Sequence, residues 1–197
     1  MVWKSKAQKP VVEDRRDVKN RGPRVAVFAG SFDPFTVGHF DLVKRASGIF
    51  DSLIVLVAQN ASKKNMFDAE TRKAMVATAV SEIPNVKVAV HSGLTVDFMK
   101  SVGAQYLVRG IRSAADLDAE QAVAWNNKVI YGDGEIETVL LLSAQEHFVV
   151  SSTLVRELLK CGNGKSAAEQ KALLSKYVPQ NMVSMLLKEY RKVYEAV

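Results

Sequence analysis

Two segments of this chain, Val25–Ala29 and Leu53–Ala58, are apolar at every position, and Val86–Val90, Tyr106–Val108 and Thr138–Leu142 come close to it. A strand with one wet face alternates, whereas a strand covered on both faces does not. Runs of this kind predict a parallel sheet between two layers of helices. The stretches between them carry helical signals. Asp68 is placed to cap a helix over 68–83, with Val76, Val80 and Ile83 on one stripe. Asp116 is placed to cap another running to about Ile130, and Pro179 to open a last one with Met182, Leu186, Tyr190 and Val193 on one face. The alternating order predicts an α/β doubly wound sheet in a single domain with C-terminal helices. Such sheets bind ligands beyond the carboxyl ends of their strands, so chemistry is expected just after Ala29, Ala58, Val90, Val108 and Leu142.

The net charge of +6 resembles a nucleic-acid signal until it is located. Residues 1–24 hold eight basic and three acidic side chains, while the other 173 residues hold 19 and 18. The body is nearly neutral and offers no basic face for a polyanion. Residues 1–23 read as a basic, flexible extension without the apolar core of a secretory signal. Residues 24–178 form the expected domain, and 179–197 a helix packed upon it. No apolar run approaches the ~18 residues of a membrane span. A single cysteine, Cys161, excludes an internal disulfide and a cysteine cage for a metal, and suits the reducing cytosol. A tail-driven nucleic-acid-binding module is the rival reading from outside enzymology.

After the first apolar run comes Gly30-Ser31-Phe32-Asp33-Pro34-Phe35-Thr36-Val37-Gly38-His39. It is neither G-x-G-x-x-G nor a P-loop. Its parts nevertheless suit a phosphate. Gly30 lets a ligand approach the backbone, Ser31 brings a hydroxyl donor, and Gly38-His39 falls at a helix start, where free N–H groups favour an anion. The later strand ends carry Lys63-Lys64, then Arg109-Gly110-Ile111-Arg112, read as two guanidiniums flanking a glycine turn, then the hydroxyl run Ser151-Ser152-Thr153 at a helix start. Gly162-Asn163-Gly164-Lys165-Ser166 ends like a Walker motif, but Leu159 stands where its first glycine is required, so it reads as a helix cap and linker. His91 reads as structural, and Cys161 has no activating neighbours.

Taken together, these motifs resemble the nucleotidyltransferase superfamily of Rossmann-like folds. Most members carry H-x-G-H in the first loop. Here Thr36 replaces the first histidine, and T-x-G-H is typical of the bacterial phosphopantetheine adenylyltransferase family. Ser62-Lys63-Lys64-Asn65-Met66-Phe67 resembles its S-K-K-x-x-F stretch, Arg109–Arg112 its R-G-[LI]-R, and Val150–Arg156 its I-S-S-[ST]-x-h-[RK]. The resemblance implies adenylyl transfer from ATP to 4′-phosphopantetheine, giving dephospho-CoA and pyrophosphate in coenzyme A synthesis. It implies catalytic roles for His39, Lys63, Ser31 and Arg112. ATP would meet Ser31, Phe32, His39, Gly110, Ile111, Arg112, Glu120, His147, Val150, Ser151, Ser152 and Thr153. The acceptor would meet Ser31, Lys63, Leu94, Thr95, Arg109 and Asn127. Mg2+ is expected to arrive with ATP, since no acidic cage is visible. The resemblance further implies a cytoplasmic homohexamer with feedback from coenzyme A, and no nucleic-acid or membrane partner. Four departures stand out: Ser31 where many members have threonine, His147 where several have tryptophan, the basic tail, and the long stretch after Cys161. Another nucleotidyltransferase, acting on nicotinate mononucleotide or a short alcohol phosphate, is the nearest alternative, and Thr36 speaks against it.

Overall fold

The computed structural model describes residues 22–59, 64–132, 136–162 and 164–194. Five strands, β1 (Val25–Gly30), β2 (Ser52–Gln59), β3 (Val86–Ser92), β4 (Tyr106–Ile111) and β5 (Glu137–Leu142), pair in parallel in the order β3-β2-β1-β4-β5. All five lie on the apolar runs. The helices are α1 (Val37–Ser47), α2 (Ala69–Ala79), α3 (Thr95–Val102), α4 (Ala114–Tyr131), α5 (Ser152–Lys160), α6 (Ala167–Leu174) and α7 (Val183–Tyr194).

Successive residues of β1 serve opposite cores, which is why its sequence does not alternate. Ala26 and Phe28 join Val55, Val57 and Val108 beneath α1, α2, α5 and α7, where Leu42, Val43, Met75, Val76, Val155 and Leu186 are buried. Val27 and Ala29 join Leu56 and Leu107 against Val96 and Met99 of α3. The chain winds outward from β1 to β3, then returns to the far side of β1 as β4. That reversal opens the crevice between the ends of β1 and β4 in which ligands of doubly wound sheets bind. Among the described residues no helix is long and apolar enough to cross a membrane.

Three helix boundaries differ from expectation. Asp68 does cap α2, accepting the Thr71 N–H at 2.7 Å, but the helix stops at Ala79, because Pro84 has no N–H for the Val80 carbonyl, which accepts from the Ile83 N–H at 2.9 Å instead. Ser113, not Asp116, caps α4: its hydroxyl accepts the Asp116 N–H at 3.2 Å. Ala114 and Ala115 are strong helix formers, so the earlier of two eligible caps takes the start. Pro179 precedes a single 3-10 turn, Gln180–Met182, before α7 begins. Met182, Leu186 and Tyr190 are buried as expected, whereas Val193 is exposed.

Candidate functional site

The loop leaving β1 folds back on itself. Phe32 adopts a φ of 47°, and its ring packs against Phe28, Phe35 and His39. A Cβ on Gly30 would lie 2.7 Å from that ring, so glycine is required there by packing. The Phe32 ring belongs to the core, while Ser31 beside it is exposed. The Asp33–Pro34 peptide is cis. Asp33 is buried and its carboxylate accepts the N–H groups of Met66 (2.7 Å) and Phe67 (3.1 Å). Both carboxylate oxygens are thus engaged by the backbone. The loop's own carbonyls are pinned by α5: Arg156 Nη1 donates to Asp33 O at 2.6 Å and Ser152 Oγ to Pro34 O at 2.8 Å.

Thr36 caps α1 in a reciprocal box. The His39 N–H donates to Thr36 Oγ1 at 3.4 Å, and the Thr36 N–H donates to His39 Nδ1 at 3.0 Å. With Nδ1 occupied as an acceptor, the ring proton of neutral His39 sits on Nε2. Burial, reinforced by the Arg112 guanidinium, holds this imidazole down at about 4. The ring also contacts Phe32 and Phe35, at centroid distances of 5.2 and 5.5 Å. The sequence therefore places at a helix start a neutral N–H donor, not an imidazolium. Thr36 is what fixes its tautomer.

Across the crevice, Arg109, Gly110 and Ile111 are the last residues of β4 rather than a turn. The turn expected at this glycine is replaced by strand because all three pair with β5. Gly110 is explained by its neighbour: a Cβ there would lie 2.3 Å from Leu42 Cδ1 of α1. The Arg109 fork makes three bonds, to Glu120 Oε2 (2.7 Å), Glu120 Oε1 (2.6 Å) and Ala29 O (2.8 Å). It thereby ties β4 to α4 and to the end of β1. Arg112 is exposed, anchored through its N–H to Asp116 at 2.9 Å. Ile111 is buried.

The hydroxyl run divides its work. Ser151 caps α5 through the Leu154 N–H at 3.1 Å, Ser152 pins the β1 loop, and exposed Thr153 accepts from Arg156 Nη2 at 3.0 Å. As at any helix start, the first-turn N–H groups of Ser152 and Thr153 lack an intrahelical acceptor and face outward as anion donors. A cleft of about 520 Å3 joins Ser31, Ser152 and Thr153 to three cations, Lys64, Arg156 and Lys160. Val150 is buried, and its N–H bonds His147 O at 3.0 Å. His147 reaches the start of α1: a Cβ on Gly38 would lie 3.5 Å from its own Cβ.

Leu94 caps α3 and is exposed, with half-buried Thr95 next to it. Half-buried Asn127 and Glu120 lie on α4, which packs against α3. These residues occupy the α3/α4 face, and His39 and the hydroxyl run the other, so the crevice end of β1 is where the two groups meet. Lys63 lies outside the described residues, as does the extension through Arg21. The Walker-like segment follows the α5 cap at Cys161 and contributes Ser166, which caps α6. His91 stacks obliquely on Phe98 at 5.5 Å, in keeping with a structural role. Among the described residues no group of three or more histidine, cysteine, aspartate or glutamate side chains is placed to hold a metal. The bonds of Asp33 and Arg72, and that of Arg156 to Asp33 O, escape a reading of the sequence, because those partners are main-chain atoms of distant segments. The pairing of Arg109 with Glu120 escapes it too, although each residue stands out in its own motif or helix.

Residues 27–158 match the family model described as cytidylyltransferase-like. A phosphopantetheine adenylyltransferase of Leuconostoc mesenteroides subsp. mesenteroides is 42% identical over 162 residues, covering 82% of this chain and 93% of that protein. One from Latilactobacillus sakei subsp. sakei is 46% identical over 140 residues, covering 71% and 84%. One from Thermotoga neapolitana is 44% identical over 138 residues, covering 70% and 84%.

Proposed function

We propose that this chain, which belongs to the phosphopantetheine adenylyltransferase family, transfers the adenylyl group of ATP to 4′-phosphopantetheine, releasing pyrophosphate and giving dephospho-CoA. The attacking group is a phosphate-monoester oxygen, already anionic, so no strong base is needed. A bond forms from that oxygen to the α-phosphorus, and the bond from the α-phosphorus to the bridging oxygen breaks, its electrons leaving with pyrophosphate. The obstacle is the mutual repulsion of two anions, and the protein's task is alignment and charge stabilisation.

The observation that carries the reading is that His39 at the start of α1, Arg109 bonded to Ala29 O of β1 and the α5 hydroxyl of Ser152 bonded to Pro34 O of the β1 loop all stand at the crevice end of β1. His39 Nε2–H donates to the α-phosphoryl oxygens as charge gathers there. Ser31 and Lys63 hold the acceptor phosphate in line, and Arg109 approaches it from the α4 side. Arg112, the backbone near Gly110 and Ile111, and the first turn of α5 receive the triphosphate. The phenyl ring of Phe32 is in the core, so its share in ATP binding is through the backbone. Mg2+ would arrive with ATP and would supply charge neutralisation there, since the Asp33 carboxylate beside the cleft is taken up by two N–H groups.

Self-association completes the proposal. The described part of α4 has no buried residue although it carries Leu117, Val123, Trp125, Val129 and Ile130, with Trp125 64% and Val129 81% exposed. Apolar exposure of this extent marks an interface, and a second copy of the chain within a homohexamer is its occupant. A cytoplasmic enzyme restrained by coenzyme A, without nucleic-acid or membrane partners, is the matching biological setting. The deciding experiment measures pyrophosphate release from ATP, with and without 4′-phosphopantetheine, and with nicotinate mononucleotide as the competing acceptor. Release that does not require 4′-phosphopantetheine overturns the reading.

A further inference from the structure

Arg72 is the largest fully buried side chain among the described residues, 1% exposed, and it belongs to none of the motifs. Its position on α2 places it beside Met75 and Val76, in the apolar layer beneath the sheet. An isolated buried charge is costly unless hydrogen bonds replace its lost water. Here three main-chain carbonyls do so. Nε donates to Phe67 O at 3.1 Å, and Nη1 donates to Ala58 O at 3.2 Å and to Ser31 O. Asp33 and Asp68 supply the opposing charge.

The three carbonyls come from three separate pieces of the site's frame. Ser31 is the first residue past β1, Ala58 the last but one of β2, and Phe67 precedes the cap of α2. The peptide groups at Met66 and Phe67 are gripped from both sides, their N–H groups by Asp33 and the Phe67 carbonyl by Arg72. Asp33 itself belongs to the β1 loop. The two charged groups thus form one clasp between the loop that carries Ser31 and the segment that begins at Lys64. A residue needed only to fill this space would be apolar, since buried ionic groups are often replaceable by apolar ones of equal volume at no loss. An apolar side chain cannot hold three carbonyls from three segments at set spacings, and a planar fork of five donors can.

We infer that Arg72 is a positioning residue of the transfer reaction: through the Ser31, Ala58 and Phe67 carbonyls it sets the spacing between Ser31 and the segment from Lys64 to Met66, which line one cleft and between which the acceptor phosphate is held. This rests on the adenylyl-transfer reading above. It makes no contact with substrate and acts only through the backbone it holds. A displacement of about 1 Å in such a frame costs up to ~10² in rate, and the loss falls on the ligand whose two holders move apart.

The test uses the full chain with ATP and 4′-phosphopantetheine, comparing Arg72→Lys and Arg72→Met with the unaltered protein. Rates are normalised to the folded fraction measured by thermal unfolding and circular dichroism. The expected result is a fall of at least about tenfold in kcat/KM for the acceptor, while the half-saturating ATP concentration moves less than about threefold. A half-saturating ATP concentration that rises by about threefold or more, or a loss in kcat/KM that vanishes on normalisation, overturns the inference and leaves Arg72 a structural residue. If Arg72→Met does not fold, Arg72→Lys decides alone, because it keeps the charge and loses the fork. An unaltered protein without acceptor-dependent turnover contradicts the adenylyl-transfer reading instead, so the two failures are distinguishable.

Discussion

Replacing His39 by alanine tests the chemistry most directly. The variant loses one preorganised donor, for which the usual cost is ~10²–10³ in kcat, or about 2.7–4 kcal/mol of transition-state stabilisation. The pH dependence of that cost separates two mechanisms. With its imidazole held at about 4, His39 carries a second proton in about one molecule in a thousand at pH 7. Its donor is the Nε2–H of the neutral ring, which does not titrate further within the working range. The acceptor phosphate itself titrates near about 6, so the informative range lies above pH 7. Measured by pyrophosphate release between about pH 7 and 9, the ratio of unaltered to His39→Ala kcat is expected to stay constant. Were the imidazolium the acting form, with an ordinary value near about 6.5, that ratio would fall about tenfold per pH unit, and the neutral-donor argument would fail.

The same group links folding to acid. The unfolded imidazole binds its proton near 6.5 and the folded one only near 4. Between those values the unfolded state holds more protons, so stability falls as pH drops from 6.5 towards 4 and is fully present above 6.5. Because the ring is only half-buried by area, the loss is discounted to on the order of 2 kcal/mol. Urea titrations across this range should show that slope in the unaltered protein and lose it in His39→Ala.

Lys63→Ala should raise the half-saturating acceptor concentration at least about tenfold with little change for ATP, and steady-state kinetics with each substrate varied in turn will show it. Gly110→Ala should destabilise the fold by about 1–3 kcal/mol, read by thermal unfolding, because its new Cβ overlaps Leu42 Cδ1 in a filled layer. Trp125→Glu should leave a folded protein of smaller mass by light scattering. Unchanged mass would remove the exposed face of α4 from the proposed assembly.

The chain itself makes legible whatever depends on neighbours in sequence. Strands β1 and β2 can be read because burial on both faces erases alternation locally. The caps at Asp68 and Ser151 can be read because a cap and the N–H it satisfies lie three residues apart. The reading of the first loop as a phosphate site rests on the same locality, its glycine, hydroxyl and histidine being held within ten residues. Where two local signals compete, as at Ser113 and Asp116, sequence reasoning chooses wrongly. Both residues can cap, and the better helix start is set by the two alanines between them.

Distance along the chain hides the rest. Arg72 reads as an ordinary cation on a helix until Ser31, 41 residues away, comes within reach of its fork. The sequence shows Arg109 in a phosphate-binding pattern but not its carboxylate partner, Glu120, which the winding of β4 against α4 brings to it. The glycine of the R-G-I-R motif reads as a turn until Leu42 is found against it. For His39, residue type and position are written in the motif. Its protonation state arises from desolvation by the loop aromatics and repulsion by Arg112. Composition and spacing thus determined the fold class and which side chains gather at the rim. The charge each bears and the partner each keeps were decided in three dimensions, because solvation and Coulomb forces act through space.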